Sequence, residues 1–422
     1  VTKIENGTFE DCRSLTSITI PNGVTTIGDY AFEDCEAATS ITIPTSVTSI
    51  GRSAFFERAA LGKATIPSTV TNISYRAFYR SGIVSVEVPD SVTILSNDAF
   101  QDCANLQLAS LPAALYGKID ESKVFTGCHA DLVVTYRVNS TVSKQKVGNY
   151  FWYFKTLPGN SVEITYQVDS PAIDPKPTGS VTIPSTLGGM PVTSLGTSAF
   201  DGCTALTGVG TMPSTVTNIG KYAFYNCKAL TSITLPSSLG AIGVSAFYNC
   251  DALTSVTIPN SVKSIGGSAF NGCDALKTIN LGTGLTIIKD GAFAGCTGVA
   301  GVEIPNTVTN IDKNAFRGSA LTSVMVPGSV GLIAPNAFAL CENLQVVQFG
   351  KSMSVIMGGA FKGCSRLGVL DFKCTEPVWA WKTSFDGVAA ALGKMAEVYV
   401  PKTAKKWGPV WYPYATGPQT AE

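Results

Sequence analysis

The sequence predicts an α/β solenoid: an array of coils about 23 residues long, with short parallel strands on one face and short helical turns and irregular segments on the other. Three observations carry that prediction. A phenylalanine returns every 22 to 25 residues, at Phe9, Phe32, Phe55, Phe78, Phe100 and Phe125, then at Phe200, Phe224, Phe247, Phe270, Phe293, Phe316, Phe338 and Phe361, with a weaker member at Phe385. A cysteine stands three residues after most of these phenylalanines, usually within Ala-Phe-x-x-Cys. A proline closes most of the short apolar runs between them, as at Pro21, Pro44, Pro67, Pro89, Pro112, Pro184, Pro213, Pro236, Pro259, Pro305, Pro327 and Pro401. A coil this short cannot bury its own apolar residues, so neighbours must stack into one continuous core.

The elements of a coil follow from Leu230-Thr231-Ser232-Ile233-Thr234-Leu235-Pro236. Leu230, Ile233 and Leu235 reproduce the L-x-x-L-x-L strand of a leucine-rich repeat, and the alternation over the last positions gives a strand with one buried and one open face. Pro236 ends it, because a missing N–H suits a strand end better than an interior ladder. In the return half, Leu239 and Ile242 are expected to point inward, Gly243 to make the bend, and Ser245-Ala246-Phe247 to form one short helical turn held by its buried ring. Stacked coils about 4.8 Å apart would place the rings in an internal column.

The coil Leu253-Thr254-Ser255-Val256-Thr257-Ile258-Pro259 through Ser268-Ala269-Phe270-Asn271-Gly272-Cys273 resembles the unit of BspA-type (Treponema pallidum-type) leucine-rich repeat proteins, with strand, proline, Ile-Gly and Ala-Phe-x-x-Cys in register. The resemblance covers roughly residues 1–128 and 180–400. It implies a surface or secreted protein of a host-associated bacterium or protist, with adhesion to host proteins or other microbes as described for some members. It implies no catalytic residues and no cofactor.

The period divides the chain. Residues 1–128 read as a first array, 129–180 as an irregular hairpin or cap segment with a linker, and 181–422 as a second array closed by a C-terminal aromatic cap. The alternative is one continuous solenoid interrupted by a flap at 129–180. In the irregular segment Leu132 to Val138 and Val162 to Val168 alternate as strands, with Leu132, Val134, Tyr136 and Val138 on one face and Val162, Ile164, Tyr166 and Val168 on another. Trp379, Trp381, Trp407, Trp411, Tyr412 and Tyr414 crowd the C-terminal end and read as closure of an open solenoid end, with a carbohydrate-stacking platform as the functional alternative. Val1-Thr2-Lys3-Ile4 aligns with Val24-Thr25-Thr26-Ile27, so residue 1 is expected to be the edge of a fragment.

Composition narrows the function. Thirty Lys and Arg balance thirty Asp and Glu, and charged residues are 14% of the chain, which offers no electrostatic footprint for nucleic acid. Apolar residues reach 45% without a run long enough to span a bilayer, so no membrane insertion is expected. Asn6-Gly7-Thr8, Asn72-Ile73-Ser74 and Asn139-Ser140-Thr141 match the N-glycosylation pattern, which matters only in a eukaryotic secretory pathway.

Chemistry is sparse. Eleven of twelve cysteines occupy the same point of the coil and Cys374 is out of register. Parallel side-chain directions suit disulfides poorly, and Arg58, Ser81 and Ser319 replace the cysteine in three coils, so buried free thiols acting as small hydrophobes are the favoured reading over a disulfide framework. The single histidine, His129, has no C-x-x-C or nucleophile-elbow context, so neither a metal site nor a catalytic triad is expected. The chain therefore reads as a non-catalytic binding protein, extracellular or on the cell surface, whose partner is a protein or a glycan. The rival is a rigid spacer presenting another domain.

Binding is expected on the open strand face. The central outward position of each strand is Thr19, Thr42, Thr65, Glu87 and Ser110 in the first array, and Thr234, Thr257, Asn280, Glu303, Met325, Gln348 and Asp371 in the second. Threonine on a half-exposed strand is ordinary β-sheet chemistry. The change to varied polar residues and Met325 marks the second set as the candidate ligand-binding residues. The same degradation of the hydroxyl pattern argues against ice binding.

Overall fold

The computed structural model describes residues 1–57, 61–137, 141–165, 171–374, 378–380, 383–388 and the backbone of 397–399. These residues form a leucine-rich repeat solenoid in two compact units, one comprising Val1–Thr156 with Thr186–Met190, the other Leu157–Ser185 with Pro191 onward.

Each coil contributes to two parallel ladders. In the first unit the predicted strands Ile18–Thr19, Ser40–Thr42 and Lys63–Thr65 pair in parallel, as do Ser85–Glu87 and Leu108–Pro112. A second ladder, which sequence reading did not assign as strand, runs through the return halves: Lys3–Ile4, Thr26–Ile27, Ser49–Ile50, Asn72–Ile73 and Ile94–Leu95. In the second unit the corresponding returns include Asn218–Ile219, Ala241–Ile242 and Ser264–Ile265. Leu239 and Ile242 are buried as expected. Gly243 is required by packing: a Cβ there would stand 2.4 Å from the carbonyl carbon of Gly220 in the preceding coil.

The phenylalanines form one stacked column in each unit. Ring centroids lie 5.2 to 5.7 Å apart from Phe9 to Phe125, and 4.9 to 5.6 Å apart from Phe200 to Phe385. This is the offset-stacking range, and the rings from Phe32 to Phe100 and Phe200 to Phe361 are essentially without solvent contact.

The Ala-Phe segments are turns, not the expected helical turns. Around Phe224, Ala223, Tyr225 and Cys227 donate to carbonyls three residues back in their own coil, whereas Tyr222, Phe224 and Asn226 donate to Val244, Ala246 and Tyr248 of the next coil. Alternate N–H groups thus face outward along the stack, which a right-handed helix cannot provide. The alternation needs left-handed residues at two points of the turn, here Tyr222 (φ 58°) and Asn226 (φ 56°). The sole α-helix among the described residues is Glu121–Val124, capped by Asp120.

The irregular segment carries the expected strand at Val133–Arg137, in parallel register with Leu108–Pro112. Ser143–Val147 then pairs antiparallel with both Val133–Arg137 and Tyr150–Leu157. Tyr136 is buried on the anticipated face, although neighbouring Thr135 is buried too. Val162 and Ile164 of the strand Ser161–Ile164 are buried together. Arg58, Val138, Asn139, Ser140, Tyr166, Val168, Trp381, Trp407, Trp411, Tyr412 and Tyr414 lie outside the described residues, and of Trp379 only its backbone, in the strand Trp379–Ala380, is described.

Candidate functional site: the exposed strand ladder

Every outward position named from the second array lies on the open side of its coil, and six of the seven form one continuous ladder. Thr257 is the register partner of Asn280. Single bridges carry the ladder from Asn280 to Glu303 and from Glu303 to Met325. Met325 pairs with Gln348, and Gln348 with Asp371. Thr234 is exposed but lies outside the named strands. Parallel in-register strands place these side chains about 4.8 Å apart in a row, so six residues far apart in sequence make one surface.

Solvent and hydrogen bonds divide the row into three parts. At one end the Asn280 amide donates to Thr257 Oγ1 at 3.2 Å. At the other, Gln348 Nε2 donates to Asp371 Oδ2 at 3.3 Å, and Lys373 Nζ pairs with the same oxygen at 3.0 Å. Between them stand Glu303 and Met325, both exposed, and Met325 keeps 66% of its surface in water. The strand Ser323–Val326 buries Val324 and Val326 on the opposite face, which fixes the outward direction of Met325 by simple alternation.

The first unit presents a different surface. Thr19, Thr42 and Thr65 form an exposed hydroxyl row. Glu87 and Ser110 are register partners, but Arg137 lies over them. Its guanidinium donates to the Ser110 carbonyl at 2.9 Å, to Ser110 Oγ at 3.0 Å, to the Val88 carbonyl and to Asp90 Oδ1 at 2.8 Å, and it stands 3.8 Å from Glu87. With 16% of its side chain exposed, Arg137 closes that end of the face. Nothing in the repeat pattern signals this residue, because it enters from the irregular segment.

The repeat cysteines line up as a column of thiols along each stack. All twelve cysteines are free. Cys227, Cys250, Cys273, Cys296, Cys341 and Cys364 each donate to the carbonyl of the preceding coil's phenylalanine at 3.1 to 3.3 Å. Ser81 and Ser319, which replace cysteine, instead contact the next thiols, Cys103 and Cys341, at 3.2 and 3.3 Å. Burial pushes the thiols of Cys203 and Cys296 up to about 12 and those of Cys227 and Cys273 well above the ordinary range. A thiol held neutral this firmly is a poor nucleophile.

Among the described residues no three His, Cys, Asp or Glu side chains are arranged to hold an ion. His129 Nδ1 accepts the backbone N–H of Asp131 at 3.1 Å, a local turn contact. Two asparagines of the glycosylation pattern are engaged in the coil stack. Asn6 Oδ1 accepts the Asp29 N–H, and the Asn72 amide donates to Ser49 Oγ of the preceding coil at 3.4 Å. Among the described residues no helix is long and apolar enough to cross a membrane.

The family model for the BspA type leucine rich repeat region matches residues 1–115, 177–298 and 268–376, with six copies. Among solved structures, a leucine-rich repeat protein from Bacteroides ovatus is 23% identical, with 96% of this chain and 87% of that one covered and a TM-score of 0.39. The T. pallidum leucine-rich repeat protein is 24% identical over 60% of this chain and 96% of its own, with a TM-score of 0.33. A leucine rich cell surface protein from Faecalibacterium prausnitzii is 24% identical over 88% of this chain and 70% of that one, with a TM-score of 0.26. No curated protein matches the sequence. With the matched segments spanning most of its length and the coil built as the motif requires, the chain belongs to the BspA-type leucine-rich repeat family.

Proposed function

We propose that the chain is a non-catalytic binding protein, displayed outside the cell, that recognises a protein or glycan partner through the ladder Thr257, Asn280, Glu303, Met325, Gln348 and Asp371. The observation that carries this reading is the change of chemistry along one in-register row. Bland threonine gives way to an amide, a carboxylate, a thioether, a second amide and a second carboxylate, with Met325 far more exposed than packing demands. A large exposed apolar side chain among polar ones is the composition of a recognition surface, whereas a solvated face is adequately made of threonine.

A rigid spacer is the competing reading, favoured by the uninterrupted ring columns that run through each unit. The two separate on one experiment. Surface plasmon resonance of the chain against immobilised matrix glycoproteins and a glycan panel at physiological salt should show saturable binding. The triple variant Glu303→Ser, Met325→Ser, Gln348→Ser should lose it while unfolding at an unchanged temperature. A spacer gives flat responses for both proteins.

A further inference from the structure

Within that ladder Glu303 and Met325 differ from the rest, and the difference points to one class of partner. The carboxylate of Asp371 is occupied by Lys373 and Gln348, and Asn280 spends its amide on Thr257. Glu303 is exposed and forms no ion pair or hydrogen bond through its carboxylate among the described residues. Its bridge partner Met325 presents the flexible thioether to solvent directly beside it. Two residues upstream on the same face stand Gly301 and Ser323. A Cβ at Gly301 would meet nothing within 4 Å, and Ser323 is exposed and small. A carboxylate and a soft apolar side chain thus project together from a low floor, with open space on one side.

Chemistry decides what fits. An unpaired carboxylate selects a cation, and an adjacent methionine selects an apolar surface that it can mould against. A neutral sugar offers neither a charge for Glu303 nor a deep apolar face for Met325, and an acidic glycan would be repelled. Arginine and lysine side chains combine both demands in one residue, because the aliphatic stem can lie along Met325 while the cationic head reaches Glu303. Resting on the strand-face reading above, we infer that the Glu303–Met325 pair is the anchor for a polypeptide segment that carries Arg or Lys beside an apolar residue. Gln348, next in the ladder, keeps its Nε2 on Asp371 and offers its side-chain carbonyl oxygen to a main-chain N–H of that segment.

The test is selection of a random phage-displayed dodecapeptide library on the whole chain, followed by binding of the winning peptides to the parent, Glu303→Gln and Met325→Ser proteins. Both substitutions are at exposed positions, so the variants fold, and matching thermal unfolding checks this. Winners should carry Arg or Lys next to an aliphatic or aromatic residue. They should bind about tenfold more weakly to Glu303→Gln at low salt, with the gap closing as salt is raised. Winners that lack a cation, ignore Glu303→Gln and still lose binding on Met325→Ser would overturn this inference while leaving the strand face as the binding surface. Winners indifferent to both variants would overturn the inference and count against the strand face together. A selection that enriches nothing would overturn the inference alone, since a protein surface or glycan could still occupy the face.

Discussion

The thiol of Cys250 donates to the main-chain carbonyl of Phe224 at 3.3 Å, so the cysteine of one coil fastens the turn of the coil before it. The same Phe224 carbonyl accepts the N–H of Cys227 at 3.2 Å, which makes the thiol a second, side-chain partner. Cys250→Val should therefore cost about 1 kcal/mol, the net worth of a buried hydrogen bond whose acceptor keeps one other donor. Cys250→Ser should cost less than Cys250→Val, because Ser81 and Ser319 already stand in this column. Urea unfolding midpoints of the two variants check the order.

Alkaline solution should destabilise the protein through the same thiols. In the folded chain burial raises Cys203 and Cys296 to about 12, whereas an unfolded cysteine titrates near about 8.5. Their folded pKa lies above the unfolded one, so their contribution is complete below about pH 8.5 and falls as pH climbs toward the folded values, by about 1.4 kcal/mol per pH unit per thiol. Stability measured by denaturant from pH 7 to 10 should decline from near pH 8.5 onward. Cys296→Ser should make that decline shallower.

Removing one ring should break a coil stack locally. Phe270 has ring neighbours at 5.0 Å in Phe247 and 5.4 Å in Phe293, and it is fully buried. Phe270→Ala is expected to cost ~3–5 kcal/mol through lost burial and a cavity. Because each coil contacts chiefly its neighbours, the loss should also split the unfolding transition. Hydrogen exchange should speed up first in Ser255–Thr257 and Thr278–Asn280.

Arg137 should prove essential to the end of its own ladder. Arg137→Ala removes donors to Ser110, Val88 and Asp90 at once, and a loss of about 2 kcal/mol is expected. Hydrogen exchange should rise in Ser85–Glu87 and Leu108–Pro112 ahead of the remaining strands of that unit.

The ring columns were legible in the sequence because Phe224, Phe247 and Phe270 repeat at the coil period and can bury their rings only against one another. The outward direction of Glu303, Met325 and Gln348 was legible for a related reason: alternation with buried Ile304, Val324, Val326 and Val347 leaves a side chain one place to go. The second ladder was not, since a two-residue strand such as Ala241–Ile242 is too short to show alternation. Nor were the left-handed turn positions, occupied by residues as unlike as Asp34, Tyr222 and Leu340. There the backbone is set by hydrogen bonds to the next coil, which no single repeat reveals. Arg137 escaped for want of any local signal, as its partners Val88 and Asp90 lie nearly fifty residues away in the chain.

The most direct test of the binding account compares the two sides of the same unit. Tyr225 and Tyr248 stack at 5.1 Å on the turn side, while Glu303, Met325 and Gln348 lie on the strand side. Surface plasmon resonance on the matrix glycoprotein or glycan bound by the parent chain should find that changing the three strand-side residues to Ser abolishes the response. Changing Tyr225 and Tyr248 to Ser should leave it intact. Binding that survives the strand-side changes and disappears with the turn-side ones would contradict the account.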